Sequence, residues 1–185
     1  MTFDETHTRD MRQRCSWCET EFSMTPEQSS GFIVTGGICI SCTENFSLSN
    51  DTLTLREFID TIDAPILVMQ PEPRQVYTAN KKALELFGKE LSQMEGYRGG
   101  QVFDCLQSFT KLGCGKDINC EECKIKAAIV GTFNSGDSFK GVASSLEVKK
   151  NDKTSTYLLQ ISTEKTGDLA LVRIDGYRQS ENVHP

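Results

Sequence analysis

Eight cysteines carry the chemistry this sequence can do, and they fall into two sets of four. The denser set is Cys105, Cys114, Cys120 and Cys123, all inside VFDCLQSFTKLGCGKDINCEECKIKAAIV. Its last pair is a C-x2-C knuckle set directly ahead of an apolar helical pattern. Four thiolates this close can converge on one metal ion or one iron–sulfur cluster, because a knuckle supplies two ligands and a loop can bring the others round. Gly113 and Gly115 flank Cys114, where the backbone must turn sharply to aim a sulfur inward. The competing reading is four unrelated buried thiols, since free cysteine behaves as a small core hydrophobe. Cys105 lies furthest from the knuckle; without it the site has three cysteines and an open, more reactive position.

The other set lies in a short module, residues 14–46. Cys15-x2-Cys18 and Cys39-x2-Cys42 are two knuckles with twenty residues between them, the spacing of a ribbon-type tetrathiolate zinc site. The segment's apolar stock is small: Trp17, Phe22, Phe32, Ile33, Val34 and Ile38. Metal binding must therefore supply most of its folding energy. A closed tetrathiolate site has no open coordination position, so zinc at Cys15, Cys18, Cys39 and Cys42 is expected to be structural, ahead of redox switching or an iron centre. With Gly37-Ile38-Cys39-Ile40-Ser41-Cys42 as its second knuckle, the module resembles small four-cysteine segments found beside sensor domains in bacterial signalling proteins.

Composition narrows the function classes. The 185 residues suffice for one ordinary domain and a small module. A net charge of -6 and an isoelectric point near 5.0 oppose a nucleic-acid or anionic-membrane binder, both of which need a basic field. No apolar run approaches a membrane span, and MTFDETHTRDMRQR has no secretory apolar core. A reducing cytoplasm is thus expected, where paired knuckles favour metal ligation over disulfides. Residues 1–13 and 180–185 read as tails; they contain the two histidines, His7 and His184, which receive no role.

The elements that must position the second set begin after a polar linker, Ser47 to Asp51. Leu55, Phe58, Ile59 and Ile62 have helical spacing. PILVMQ and RQVYTAN read as strands turning at Pro71, Glu72 and Pro73, and NKKALELFG as a helix closed by Gly88. Past the cysteine-rich run, SFKGVASSLEVKK, KTSTYLLQISTEK and DLALVRIDGYR read as three strands joined by tight turns. Two strands, inserted helices and three more strands give an α+β domain: a five-stranded antiparallel sheet with helices on one face.

Val76 to Gly88, VYTANKKALELFG, resembles the opening signature of a PAS domain, the small sensor fold of bacterial signalling proteins. The resemblance spans residues 52–179, with Asn80 starting the first inserted helix, and implies strand order 2-1-5-4-3. It also implies a pocket between the inner sheet face and the inserted helices, and a helix before the first strand that pairs two subunits into a homodimer. The Gly-Cys-Gly at 113–115 and the knuckle at Cys120 resemble a PAS subset with a cysteine cluster in that segment. Some such sensors ligate an iron–sulfur cluster through two C-x2-C pairs. Here the spacing is C-x8-C-x5-C-x2-C, which leaves iron–sulfur and zinc both open. Haem is disfavoured because both histidines are terminal. Photoactive flavin is set aside because Phe103-Asp104-Cys105-Leu106-Gln107 only partly echoes the run it needs.

No nucleophile–base pair, paired carboxylates or phosphate loop is recognisable, so an enzyme is not expected. Nor is there room after Gln179 for an output domain. The leading expectation is a cytoplasmic signal-transduction sensor or adaptor that reads redox state or a gas through the second cysteine site and signals to a partner protein by contact. One competitor is a non-sensing scaffold with two structural zinc sites. Another is a PAS domain binding a small organic ligand among Leu67, Met69, Phe87, Phe103, Val142 and Leu158.

Overall fold

The computed structural model describes residues 11–15, 20–24, 39, 41–42, 52–72 and 74–180. Cys18 and the expected tails at 1–10 and 181–185 lie outside the described residues, as does the linker expected from Ser47 to Asp51. So does the rest of the module's apolar stock apart from Phe22. Strands β1 (Met11–Arg14) and β2 (Glu21–Met24) form an antiparallel hairpin. Strand β1 therefore starts within the stretch expected as a tail. Cys15 follows β1, and its N–H donates to the carbonyl of Thr20, just ahead of β2, at 2.9 Å.

The remaining elements are α1 (Thr52–Asp60), β3 (Ile66–Met69), β4 (Val76–Ala79), α2 (Lys81–Phe87), α3 (Gly99–Val102), α4 (Lys124–Ser135), β5 (Phe139–Lys150), β6 (Lys153–Thr166) and β7 (Leu169–Gln179). Short 3-10 turns occupy Leu91–Gln93, Leu106–Phe109 and Ile118–Cys120. The five strands from β3 onward make one antiparallel sheet ordered β4-β3-β7-β6-β5. That is the 2-1-5-4-3 order of a PAS-type domain. The hairpin of β5 and β6 turns at Asn151 and Asp152, both at positive φ, as the two central residues of a type I′ turn must be.

Alternation along the strands sorts side chains between two cores. Leu67 and Met69 of β3, Leu146 and Val148 of β5, Leu159 and Ile161 of β6, and Val172 and Ile174 of β7 pack with Ile125, Ala128 and Ile129 of α4 and with Phe87 and Phe103. This is the face that the inserted helices cover. On the other face Ile66, Val68 and Leu171 pack with Leu55 and Ile59 of α1, with Ile62 beyond its end, and with Cys15, Cys39 and Cys42. Full burial of a side chain such as Ile59 stabilises by about 1.5–3 kcal/mol. Leu55 and Ile59 of α1 are thus buried within the chain.

Asn80 ties these layers together. Its Oδ1 accepts from the N–H of Ile66 at 2.8 Å and of Ala83 at 3.0 Å, and its Nδ2 donates to the carbonyls of Ile59 at 3.0 Å and Ala64 at 2.7 Å. One fully buried amide therefore caps α2, holds the start of β3 and pins the end of α1. This is the physical content of the asparagine in the Val76–Gly88 signature.

Candidate metal centre

The segment between α3 and α4 brings the second cysteine set into one cavity. All four thiols, those of Cys105, Cys114, Cys120 and Cys123, line a space of about 70 Å³ between Met69 and Leu146 of the sheet, α3, and Ile125 and Ile129 of α4. A drug-sized organic ligand needs a cleft of roughly 300–1,000 Å³. This cavity fits a metal ion or a small inorganic cluster.

Each sulfur has its own local device. Cys105 follows Asp104, held at φ 55, and its N–H donates to the Gly100 carbonyl at 2.7 Å. Lys89 fixes the corner, donating to the carbonyls of Gln101 and Val102 and to the Asp104 carboxylate at 2.6 Å, which closes the C-terminal end of α3. Cys105 also bridges to Val148 of β5. Cys114 stands between Gly113 (φ 74) and Gly115 (φ 81), the left-handed turns anticipated from the sequence. Asp117 caps the turn at Ile118–Cys120 by accepting from Asn119, and Cys123 begins α4.

The Cys120 sulfur accepts the Gly115 N–H at 3.3 Å, and the backbone N–H groups of Gln107 and Gly100 face Cys105 and Cys114 and favour their thiolates. Such donors stabilise thiolate and tune a bound centre. Gly100 is required by space as well: a Cβ there would lie 2.5 Å from the Cys114 Sγ and 3.6 Å from the Cys105 Cβ. Burial pushes the Cys105 thiol up to about 11, and the neighbouring sulfurs of Cys114, Cys123 and Cys120 add to the rise. Burial also raises Cys114, against the Gly100 N–H, which lowers it. Packing four thiolates together is unfavourable until a cation sits among them, and a bound cation inverts that balance.

The first set has a different geometry. The Sγ atoms of Cys15, Cys39 and Cys42 all lie within 4.8 Å of one another, and all three residues are buried. Tetrahedral Zn–S bonds of about 2.3 Å imply S···S separations near 3.8 Å; Cys15 and Cys42 stand 3.9 Å apart. The Cys39 N–H donates to the Cys15 Sγ at 3.3 Å. Three cysteines here can hold a metal ion. Among the described residues no other three cysteine, histidine or acidic side chains come this close, so the second set is more widely spaced.

Sequence reasoning missed the cations of the cavity. Of the four lysines within or beside the loop in sequence, Lys111, Lys116, Lys124 and Lys126, only Lys126 lines it; Arg74 and Arg98 are the other cations there. Arg98 donates to the Cys114 carbonyl at 3.1 Å. The sequence signal was the Arg98-Gly99-Gly100 run, where paired glycines announce a close approach. Among the expected ligand-lining residues, Leu158 is a correction: at 38% exposure it lies outside the inner core, because alternation on β6 gives Tyr157 and Leu159 to that core. Leu67, Met69, Phe87 and Phe103 are buried core residues and Val142 packs against them, with Met69 and Phe103 also lining the cavity.

No protein-family model matches the chain, and no curated protein does. Solved structures of similar fold include a Rhodobacter sphaeroides LOV protein, 16% identical, with TM-score 0.47 over 69% of this chain and 67% of that one. Another, from work on a flavin analogue in a light-oxygen-voltage domain, is 14% identical, with TM-score 0.40 over 72% of this chain and 87% of that one. A variant of Vivid is 8% identical, with TM-score 0.41 over 61% and 81%. These likenesses are weak, and the PAS-type fold rests on the strand order and the Asn80 network.

Proposed function

We propose that this chain is a sensor or adaptor domain whose input is a thiolate-ligated inorganic centre at Cys105, Cys114, Cys120 and Cys123, and which signals to a partner protein by contact. The observation that carries the reading is the convergence of four cysteines on one 70 Å³ cavity with backbone N–H donors aimed at three of their sulfurs. The wider spacing of these sulfurs favours an iron–sulfur cluster, in which thiolates bind different irons, over a single zinc ion. Zinc suits the tighter set at Cys15, Cys39 and Cys42, with Cys18 as the fourth ligand.

A thiolate-held cluster is open to loss or conversion by oxygen or nitric oxide, and that loss frees the loop from Cys105 to Cys123. Because Cys105 bridges to β5 and Cys123 starts α4, the change reaches both the sheet and its covering helix. Redox state or a gas is then the signal, read as a population shift. The reading includes no catalytic step. The test is an absorption spectrum of protein purified without oxygen and then exposed to air. Sulfur-to-iron absorption that bleaches supports it; a colourless chain with zinc only at both sites turns the reading to a scaffold with two structural metals.

A further inference from the structure

Arg74 and Arg98 bring two guanidinium groups to the lining of the cysteine cavity. They come from separate places, Arg74 from the turn between β3 and β4 and Arg98 from just ahead of α3, yet they crowd one point. A methyl group at Gly115 would lie 3.0 Å from the Nη1 of Arg98 and 3.8 Å from the Nη2 of Arg74. Lys126 joins them, and no carboxylate is among the described residues lining the cavity. The carboxylate that Arg74 does meet, Glu72 at 2.9 Å, is 70% exposed and lies outside the lining, so it screens only that one guanidinium. Arg98 engages a neutral carbonyl, that of Cys114. Cations gathered at a half-buried site repel one another unless something negative sits among them.

We infer that Arg74 and Arg98 are a cationic cradle for a net-negative metal–thiolate centre, so that the cavity recognises its centre by charge as well as by sulfur. The inference rests on the thiolate-centre reading above. A divalent ion or a dicationic iron–sulfur core held by four thiolates carries a net charge of about -2. Two guanidinium groups match that charge, and Arg98 adds orientation by fixing the Cys114 backbone whose sulfur is the ligand. Both are positioning residues: they touch the ligand loop rather than the metal.

The experiment is metal retention in the full chain, purified without oxygen. Wild type, Arg98→Gln, Arg98→Lys, Arg74→Gln and the exposed-loop control Lys111→Met are challenged with a graded chelator, and iron and zinc are counted per chain. Loss of an outer-sphere partner typically weakens metal binding 10–100-fold. The expected result is that Arg98→Gln and Arg74→Gln each release the second-site metal at a roughly 10–100-fold lower chelator concentration. Arg98→Lys recovers most of the loss, Lys111→Met matches wild type, and the module's zinc is released alike in all. Gln retains a donor for the Cys114 carbonyl but no charge, which separates the two roles. Retention equal to wild type in both Gln variants overturns the inference, as does Arg98→Lys behaving like Arg98→Gln. Should Arg98→Gln fail to fold by circular dichroism, Arg74→Gln decides alone, since its partner Glu72 is on the surface. A wild-type chain carrying metal only at the module is a different failure, that of the thiolate-centre reading itself.

Discussion

The two cysteine sets use the same residue and similar knuckles but differ in geometry and surroundings. In the module, three sulfurs gather to within 4.8 Å, all are buried, and their surroundings are apolar: α1 and the outer sheet face. In the cavity, four sulfurs stand wider apart, three of the four residues are only half-buried, and backbone N–H groups and two arginines face them. The first arrangement suits a small closed ion that replaces a missing hydrophobic core. The second leaves room and exposure for a centre that chemistry can reach. Ligand type is shared; spacing, exposure and charge differ, and on the proposed reading they separate a staple from an input.

The widest break comes where the two regions meet, at Asn80. Replacing it with Ala strands the Ile66 N–H and the Ala64 carbonyl and removes the α2 cap, while the Ala83 N–H and the Ile59 carbonyl keep backbone partners in Asn80 and Ile62, so Asn80→Ala is expected to cost about 3–5 kcal/mol in urea unfolding and to loosen both sites together. A loss below about 1 kcal/mol would mean the amide does not join them.

Cys39→Ser separates the regions. It should remove the module's metal, cost about 2–4 kcal/mol and leave the second metal bound. From the sequence, the damage is expected to stop at the ribbon while Cys120→Ser destabilises the PAS-type half. The shared outer core extends that expectation: amide exchange in Thr52–Asp60 should quicken in Cys39→Ser, because α1 packs against these cysteines. Unchanged exchange there would separate the module from the sheet.

On the module side of the sheet a pH effect should come from one buried carboxyl. Glu164 of β6 is buried beside Leu171, and burial lifts its carboxyl from 4.5 to about 7. The protonated form therefore favours the folded chain, fully below pH 4.5, and that stabilisation is lost as pH rises to about 7. Its size is ~3 kcal/mol, at about 1.36 kcal/mol for each pKa unit. Glu164→Gln should remove this decline from the difference between mutant and wild-type unfolding curves; an unaltered slope would show that another group carries it. The cavity side is sharpened by the smallest change, Gly100→Ala. Crowding Cys114 should cost about 1–3 kcal/mol and empty the second site while the module keeps its zinc. Full metal content in Gly100→Ala would place Cys114 outside the ligand set.

Much of the fold was legible because local signals agreed. The signature at Val76–Gly88 carries a cap at Asn80 and a left-handed end at Gly88, and the tight turn at Asn151-Asp152 fixes its hairpin. The glycines around Cys114 foretold a turn that aims a sulfur inward. What the sequence concealed was tertiary. Nothing local shows that Arg74 and Arg98 both approach Gly115 of the cysteine loop. The packing of α1 against the module's cysteines is similarly invisible, since the helical pattern of Leu55, Ile59 and Ile62 announces a buried face without naming what buries it. Leu158 was misplaced for a smaller reason: in a run as apolar as Tyr157-Leu158-Leu159 the two faces of a strand look alike.

The account stands most directly on what each site holds, and native mass spectrometry of the chain purified without oxygen reads both at once. It predicts a mass exceeding the polypeptide by one zinc ion and one iron–sulfur cluster, with Cys120→Ser losing only the cluster and Cys39→Ser only the zinc. A chain carrying a single zinc, with Cys105, Cys114, Cys120 and Cys123 all alkylated as free thiols, would contradict it.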